Sequence, residues 1–169
     1  MNLLIVDDEP WARDLLKHSL DWERYGLKLI GTAANGEEAL ALCRESAVSL
    51  LVSDIRMPRI DGLELCSRLG ELEQTPEIIL VSGYDDFAYA KQAIRYGVVD
   101  YVLKPVEPAE LQQAVESALE RIKGRRSAEK RLKDLERKLR KLLPREEPSG
   151  EKAISEADCG DPRIAKILT

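Results

Sequence analysis

Five short apolar runs, at residues 3–6, 27–31, 50–53, 78–81 and 98–103, alternate with stretches that repeat every three to four residues. The runs are rich in Val, Ile and Leu and hardly alternate with polar residues, as expected for strands covered on both faces. The intervals carry helical faces. Residues 11–21 place Leu15, Leu16 and Leu20 together, and 36–45 place Ala39, Leu40 and Cys43. Residues 61–70 place Leu63, Leu65, Cys66 and Leu69 inward, and 86–96 place Phe87, Ala90 and Ile94 on one side. A last helix starts near Glu107, with Pro108 in its first turn, where proline is tolerated. Strand and helix thus alternate five times, which predicts an α/β fold: a doubly wound, five-stranded parallel sheet with helices on both faces. Right-handed crossovers leave few topologies, and ligands of such sheets gather outside the carboxyl ends of the strands.

The chain of 169 residues is long enough for one core plus an appendage. No apolar run approaches the roughly 18 residues of a membrane span, so no membrane partner is expected. The N-terminus lacks a basic region and turns acidic at Asp7, which does not read as a signal peptide. Cys43, Cys66 and Cys159 form no zinc or disulfide spacing, which fits a reducing cytoplasm. Charge is divided unevenly. Residues 1–123 hold 13 Lys or Arg and 22 Asp or Glu, whereas residues 124–169 hold 13 and 9.

The last helix reads on to about Leu143, with Gly124 as its only strong breaker. Leu132, Leu135, Leu139 and Leu142 recur at 3, 4 and 3, an a/d heptad line, and Ala118, Arg121, Arg125 and Ala128 extend it weakly backwards. A stalk over 124–143 is expected, either paired as a short coiled coil or solvated as a single helix. Nine Lys or Arg against three acids between Arg125 and Lys141 would oppose parallel pairing by repulsion; that run could instead touch nucleic acid or keep the helix soluble. Residues 144–160 read as a linker, and 161–169 as the start of a further helix, opened by Asp161-Pro162, at the threshold of another domain.

Acids cluster where strands are expected to end. The first run ends in Val6-Asp7-Asp8-Glu9 and the third in Ser53-Asp54, so Asp7, Asp8 and Asp54 share one rim. At an effective dielectric of about 20, two carboxylates some 4 Å apart repel by roughly 4 kcal/mol. A hard divalent cation such as Mg²⁺ relieves that repulsion while keeping places for water and phosphate oxygens. The fifth run ends in Leu103-Lys104-Pro105 and brings a point charge to the same rim; the fourth ends in Val81-Ser82-Gly83, a hydroxyl followed by an uncluttered backbone amide. Three carboxylates, an amine, a hydroxyl and an amide make a phosphoryl site, in which one carboxylate is the nucleophile.

These residues, with Met57-Pro58 and Asp61-Gly62 after Asp54, resemble the response-regulator receiver domain over residues 1–123. The segment from Ser82 to Ala90 is similar to the subgroup commonly joined by a helical linker to an AraC-type DNA-binding domain, and residues 162–169 look like the first helix of such a domain. The resemblance implies a flavodoxin-like sheet of order 2-1-3-4-5 with an extended C-terminal helix. It implies a two-component regulator that takes a phosphoryl group on Asp54 from a sensor histidine kinase. Mg²⁺ is then held by Asp8, Asp54 and the backbone carbonyl of Arg56, with Asp7 acting largely through water. Lys104 pairs with the phosphoryl group, Ser82 and the Gly83 amide donate to it, and Tyr101 turns inward behind Ser82. Arg56 and Tyr84 tune loss of the phosphate, and the Lys104–Pro105 bond is cis. A homodimer through the faces of the fourth and fifth helices, the stalk, or both is implied, with DNA reached only through the output domain.

Singly, these residues have plainer readings. Tyr101 fits strand packing, Lys104 a surface lysine, Ser82 a turn, and Met57-Pro58 and Asp61-Gly62 turn chemistry. His18 reads as solvated, and Trp11 and Trp22 as packing on the domain edge. Two other functions compete. An aspartyl-phosphate phosphohydrolase of the haloacid-dehalogenase pattern requires a second acid that Asp54-Ile55-Arg56 lacks. A receiver that signals by binding alone leaves the assembled chemistry unused. No glycine-rich nucleotide loop follows the first strand.

Overall fold

A computed structural model describes residues 1–83 and 87–142, without the side chains of 87–90 and 142. The elements in chain order are β1 (Asn2–Val6), α1 (Pro10–Ser19), a 3₁₀ turn (Trp22–Tyr25), β2 (Lys28–Ala33), α2 (Gly36–Glu45), β3 (Leu50–Asp54), α3 (Gly62–Leu69), β4 (Glu77–Ser82), α4 (Phe87–Arg95), β5 (Asp100–Leu103) and α5 (Pro108–Leu142). The strands form one sheet in the order β2-β1-β3-β4-β5. All four pairings are parallel. This is the parallel sheet expected from the alternation, in the flavodoxin-like order that the resemblance implied.

The apolar runs are continuous because successive side chains serve opposite faces. Leu4, Val6, Leu51, Ile78 and Leu80 pack with Ala39, Leu40, Leu65, Cys66, Leu69 and Ala93 from α2, α3 and α4. Leu3, Ile5, Leu50, Val52, Ile79 and Val81 pack with Leu16 of α1 and Leu111, Val115 and Leu119 of α5. Burial pushes the Cys66 thiol up to about 12 and the Cys43 thiol up to about 11, so neither is a thiolate nucleophile at neutral pH.

Local chemistry sets the helix ends. Asn35 caps α2: its Oδ1 accepts from the Glu38 amide at 3.0 Å, while Glu38 Oε2 accepts from the Ala34 amide at 2.9 Å, a reciprocal capping box. Asp61 caps α3, its Oδ1 accepting from the Glu64 amide at 2.7 Å. Gly97 closes α4 at φ 72°, a left-handed position that favours glycine. The Lys104–Pro105 bond is cis, as the resemblance implied.

Three helix-face expectations are corrected. Leu15 is 51% exposed and Ile94 75% exposed, while Ala12 and Ala93 are buried. In α1 the core contact comes from Leu16, and in α4 it comes from the small side chain of Ala93, while Leu15 and Ile94 turn outward. Trp22 is not an edge residue: it is 6% exposed, packs in the core, and its indole N–H donates to the carbonyls of Leu16 at 3.2 Å and Lys17 at 3.0 Å. Trp11 is exposed. Two strand edges also move, β2 running to Ala33 and β5 starting at Asp100.

Helix α5 continues through Gly124 without a break. The chain divides into two compact units, Met1–Arg131 and Leu132–Thr169. In the second, Leu132, Leu135 and Leu139 are all exposed, and Arg137 pairs with Asp134 at 3.1 Å. The expected linker at 144–160, the further helix at 161–169 and Tyr84 lie outside the described residues. Among the described residues, no helix is long and apolar enough to cross a membrane.

Because Trp22 fills core volume and Trp11 does not, the two tryptophans should differ in denaturation. Trp22→Ala is expected to cost about 3–5 kcal/mol of unfolding free energy in urea. Trp11→Ala should stay within about 0.5 kcal/mol of the parent. Equal losses would contradict the packing described.

Candidate functional site

The site lies at the carboxyl edge of β1, β3, β4 and β5, where neighbouring parallel strands end together. Asp7 follows β1 directly and is fully buried. Its amide donates to the Ala33 carbonyl at 3.2 Å, its Oδ1 accepts from the Glu9 amide at 2.9 Å, and its carbonyl accepts from the Arg13 guanidinium. Asp8 is the exposed member of the group. Asp54, the last residue of β3, is buried. One oxygen from each of Asp7, Asp8 and Asp54 lies within 4.8 Å of the others.

Lys104 stands between two of them. Its Nζ is 2.7 Å from Asp54 Oδ1 and 3.1 Å from Asp7 Oδ2. Its backbone amide donates to the Ser82 carbonyl at 2.6 Å, which joins the ends of β5 and β4. Ser82 is itself buried and Gly83 follows it. Arg56 is exposed on the loop after β3 and lines a hollow with Asp8, Ile55, Met57, Pro58 and Asp61. Tyr101 is half-buried in β5 and packs against the core on the α2–α4 side. Asp7, Asp8, Asp54 and Lys104 are thus brought together, with Ser82 joined to them through the Lys104 backbone.

The charges do not balance. Burial pushes the Asp54 carboxyl above its ordinary range, the Lys104 hydrogen bond and charge pull it down, and the charges of Asp7 and Asp8 add to the rise. Burial presses the Lys104 ammonium down, but bonding to Asp54 and then Asp7 outweighs it and raises that group. Burial is the main cause of the Asp54 rise, and a single ammonium beside three carboxylates leaves the pocket with surplus negative charge. Asp8 and Asp54, hard oxygen donors at the mouth of a pocket with surplus negative charge, fit a divalent cation.

Backbone packing holds this arrangement. A Cβ at Gly62 would lie 2.5 Å from the Asp54 carbonyl oxygen and 2.9 Å from Ile55 Cα, so only glycine lets α3 start this close to the end of β3. A Cβ at Gly36 would lie 2.7 Å from Ile60 Cγ2, which sets the loop after β3 against α2. That loop carries Arg59 in the left-handed region at φ 72°, its guanidinium paired with Glu37 at 3.0 Å. From the sequence, Asp61-Gly62 reads as turn chemistry and as part of the receiver-domain resemblance. Its signal was an N-cap acid followed by glycine just after a site strand. For Gly36, Arg13 and Ile60 the sequence carries no comparable signal.

Since the folded chain favours the protonated form of Asp54, ionising it costs folding free energy. That contribution is present at low pH and is lost as pH rises through the raised value. Without divalent cations at neutral pH, Asp54→Asn should therefore raise the urea midpoint, and the gain should shrink as pH falls toward about 4. An unchanged or lowered midpoint at neutral pH contradicts the charge imbalance.

Known proteins resemble this chain in sequence and fold. Residues 3–116 match the family model of the response regulator receiver domain. An uncharacterized response regulatory protein of Staphylococcus epidermidis is 39% identical over 120 residues, 71% of this chain and 47% of that protein. The transcriptional regulatory protein HptR of Staphylococcus aureus is 41% identical over 110 residues, 65% of this chain and 43% of HptR. The uncharacterized transcriptional regulatory protein YesN of Bacillus subtilis is 34% identical, with 72% of this chain covering 33% of YesN. The chain thus spans less than half the length of these relatives. Among solved structures, the REC domain of AraT, a response regulator from Geobacillus stearothermophilus, aligns at TM-score 0.70 and 37% identity, over 74% of this chain and 97% of that one. A two-component transcriptional regulator AraC from Clostridium phytofermentans aligns at TM-score 0.64 and 29% identity, over 76% and 98%. With its sheet order, its acidic strand-end pocket and the match through residue 116 in agreement, the chain belongs to the response regulator receiver family of two-component systems.

Proposed function

We propose that Asp54 accepts a phosphoryl group from a sensor histidine kinase and that the chain converts this event into a change of shape and pairing. The observation that carries the reading is the Lys104 ammonium held against both Asp54 and Asp7, 2.7 and 3.1 Å away, inside a cluster of three carboxylates. Asp8, Asp54 and the Arg56 carbonyl would hold Mg²⁺, with Asp7 contributing its charge beside them. The ion, when bound, offsets the charge of the carboxylates and of the incoming phosphoryl oxygens.

An Asp54 carboxylate oxygen attacks phosphorus in line with the donor imidazole. The new oxygen–phosphorus bond forms as the nitrogen–phosphorus bond breaks, and the imidazole leaves with its electron pair. Lys104 moves its ammonium from Asp54 to a phosphoryl oxygen. Ser82 and the Gly83 amide supply further donors, which draws the segment after β4 inward, and Tyr101 fills the space behind. Arg56 and Tyr84 modulate the lifetime of the acyl phosphate. The chain is a phosphoacceptor, capable only of self-phosphorylation and self-dephosphorylation, and works in the cytoplasm. Its output is a homodimer through the α4 and α5 faces, the stalk or both, which controls DNA binding by an output domain.

Incubation with a small phosphodonor and Mg²⁺ should raise the intact mass by one phosphoryl group. Asp54→Ala or chelation should abolish the rise, and a rise that survives Asp54→Ala would sink the assignment. Asp8→Asn should weaken Mg²⁺ affinity at least about tenfold in a binding titration. Gly62→Ala, which removes no polar group but displaces the Asp54 backbone, should slow phosphorylation by up to about 100-fold. Light scattering before and after phosphorylation tests pairing: the mass should move toward the dimer.

A further inference from the structure

The opposite edge of the sheet, where the strands begin, carries an arrangement that phosphoacceptor chemistry does not use. Glu77 opens β4 and its side chain is 13% exposed. Two arginines one turn apart on α5 converge on it, Arg125 at 2.7 Å and Arg121 at 3.8 Å. Arg121 also donates to the carbonyl of Gly97 at 3.1 Å. Gly97 is the left-handed residue that ends α4, its amide bonded to the Ile94 carbonyl at 3.1 Å. The next arginine, Arg126, reaches Ser49 Oγ at 3.4 Å, and Ser49 accepts the Glu77 amide at 3.0 Å. One carboxylate thus gathers the start of β4, the end of α4 and two successive turns of α5.

We propose that Glu77, Arg121 and Arg125 form a relay by which movement of α4 alters the hold on the last turns of α5 up to residue 131. The inference rests on the phosphoacceptor reading above, because the displacement has to begin at Ser82 and Gly83. Helix α4 is the connection between that segment and β5. Inward movement of Ser82–Gly83 pulls the leading end of α4 and carries its closing residue, Gly97, away from Arg121. Arg121 then loses the carbonyl, and its guanidinium is left with Glu77 alone.

The arginines have room for a second arrangement, which coupling between packed elements requires. Arg121 and Arg125 border a cavity of about 340 Å³ with Cys66, Tyr96 and Gly97. Arg125 also lines a second cavity of about 600 Å³ on its other side, with Ser49, Glu73, Arg126 and Glu129. The side chain that bonds Glu77 therefore stands between two hollows. Its alternatives are solvated, so exchanging one for the other leaves no buried charge unpaired.

Amide hydrogen exchange on the full chain tests this, with Mg²⁺ and beryllofluoride as the phosphoryl mimic. In the parent protein the mimic should change exchange in α4 and should speed exchange of α5 amides around residues 119–131 by about tenfold. In Glu77→Gln and in Arg121→Ala those α5 amides should already exchange fast, and the mimic should no longer alter them, although α4 still responds. Arg121→Lys, which keeps the charge but not the fork, should fall between. A circular dichroism spectrum equal to the parent's keeps the variants comparable. If α4 responds while α5 in the parent does not, or if Glu77→Gln leaves the α5 response at its parental size, the relay is overturned and the phosphoacceptor reading stands. Silence throughout the chain, with the mimic in excess, overturns both.

Discussion

The pairing on which the other features depend is that of Lys104 with Asp54 and Asp7. Among the described residues it is the cation paired with these carboxylates, it comes from the strand farthest along the chain, and its backbone amide ties that strand to Ser82. Burying the Asp7 and Asp54 carboxylates beside Asp8 with no counter-charge would oppose closure of this end of the sheet. With Lys104 present, the repulsion is reduced but not cancelled, and the Asp54 carboxyl stays above its ordinary range. The site is therefore stable enough to fold and unbalanced enough to demand a further cation. A second lysine would lessen that demand, because the carboxylates would then gain less from a further cation.

That imbalance persists only if Asp54 cannot drift away from its neighbours. Backbone contacts provide the restraint. The absent side chain of Gly62 brings the start of α3 against the Asp54 carbonyl, and the absent side chain of Gly36 brings α2 against Ile60. Between them Arg59 adopts a left-handed conformation, which costs a residue with a side chain about 1–2 kcal/mol, and pairs with Glu37. The loop that carries Arg56 is thus held from both ends. Strain beside a reactive carboxylate is consistent with a loop shaped for its site rather than for its own stability.

Much of this was legible in the sequence, for identifiable reasons. A parallel sheet follows from alternation and handedness, its strand order from the family resemblance, and the meeting of Asp7, Asp8, Asp54 and Lys104 from their places at the ends of parallel apolar runs. What could not be read was anything that depended on how closely elements approach. A periodic apolar stripe does not say which of its members meets the core: Leu16 packs inward and Leu15 does not, and α4 uses Ala93 rather than Ile94. Trp22 reads as an edge residue, whereas the 3₁₀ turn Trp22–Tyr25 sets its indole under the carbonyls of Leu16 and Lys17. Gly62 looked like a turn residue because contact between its Cα and the Asp54 backbone exists only in three dimensions. The grouping of Arg121 and Arg125 on Glu77 was equally hidden, since 44 and 48 positions separate the partners.

The two edges of the sheet invert each other's charge logic. At the carboxyl edge one ammonium faces three carboxylates, so the group is short of positive charge and its members gain by taking up a cation. At the amino edge one carboxylate faces two guanidiniums, and Arg121 adds a backbone carbonyl to its partners. There, each group already has a partner, and guanidiniums that remain partly hydrated lose little by exchanging one partner for another. An unbalanced site responds to a ligand by binding it. A group whose members are already partnered, and sit on different elements, responds to movement by re-pairing. Five parallel strands connect these edges, so the acids gathered at one and the arginines gathered at the other belong to a single sheet.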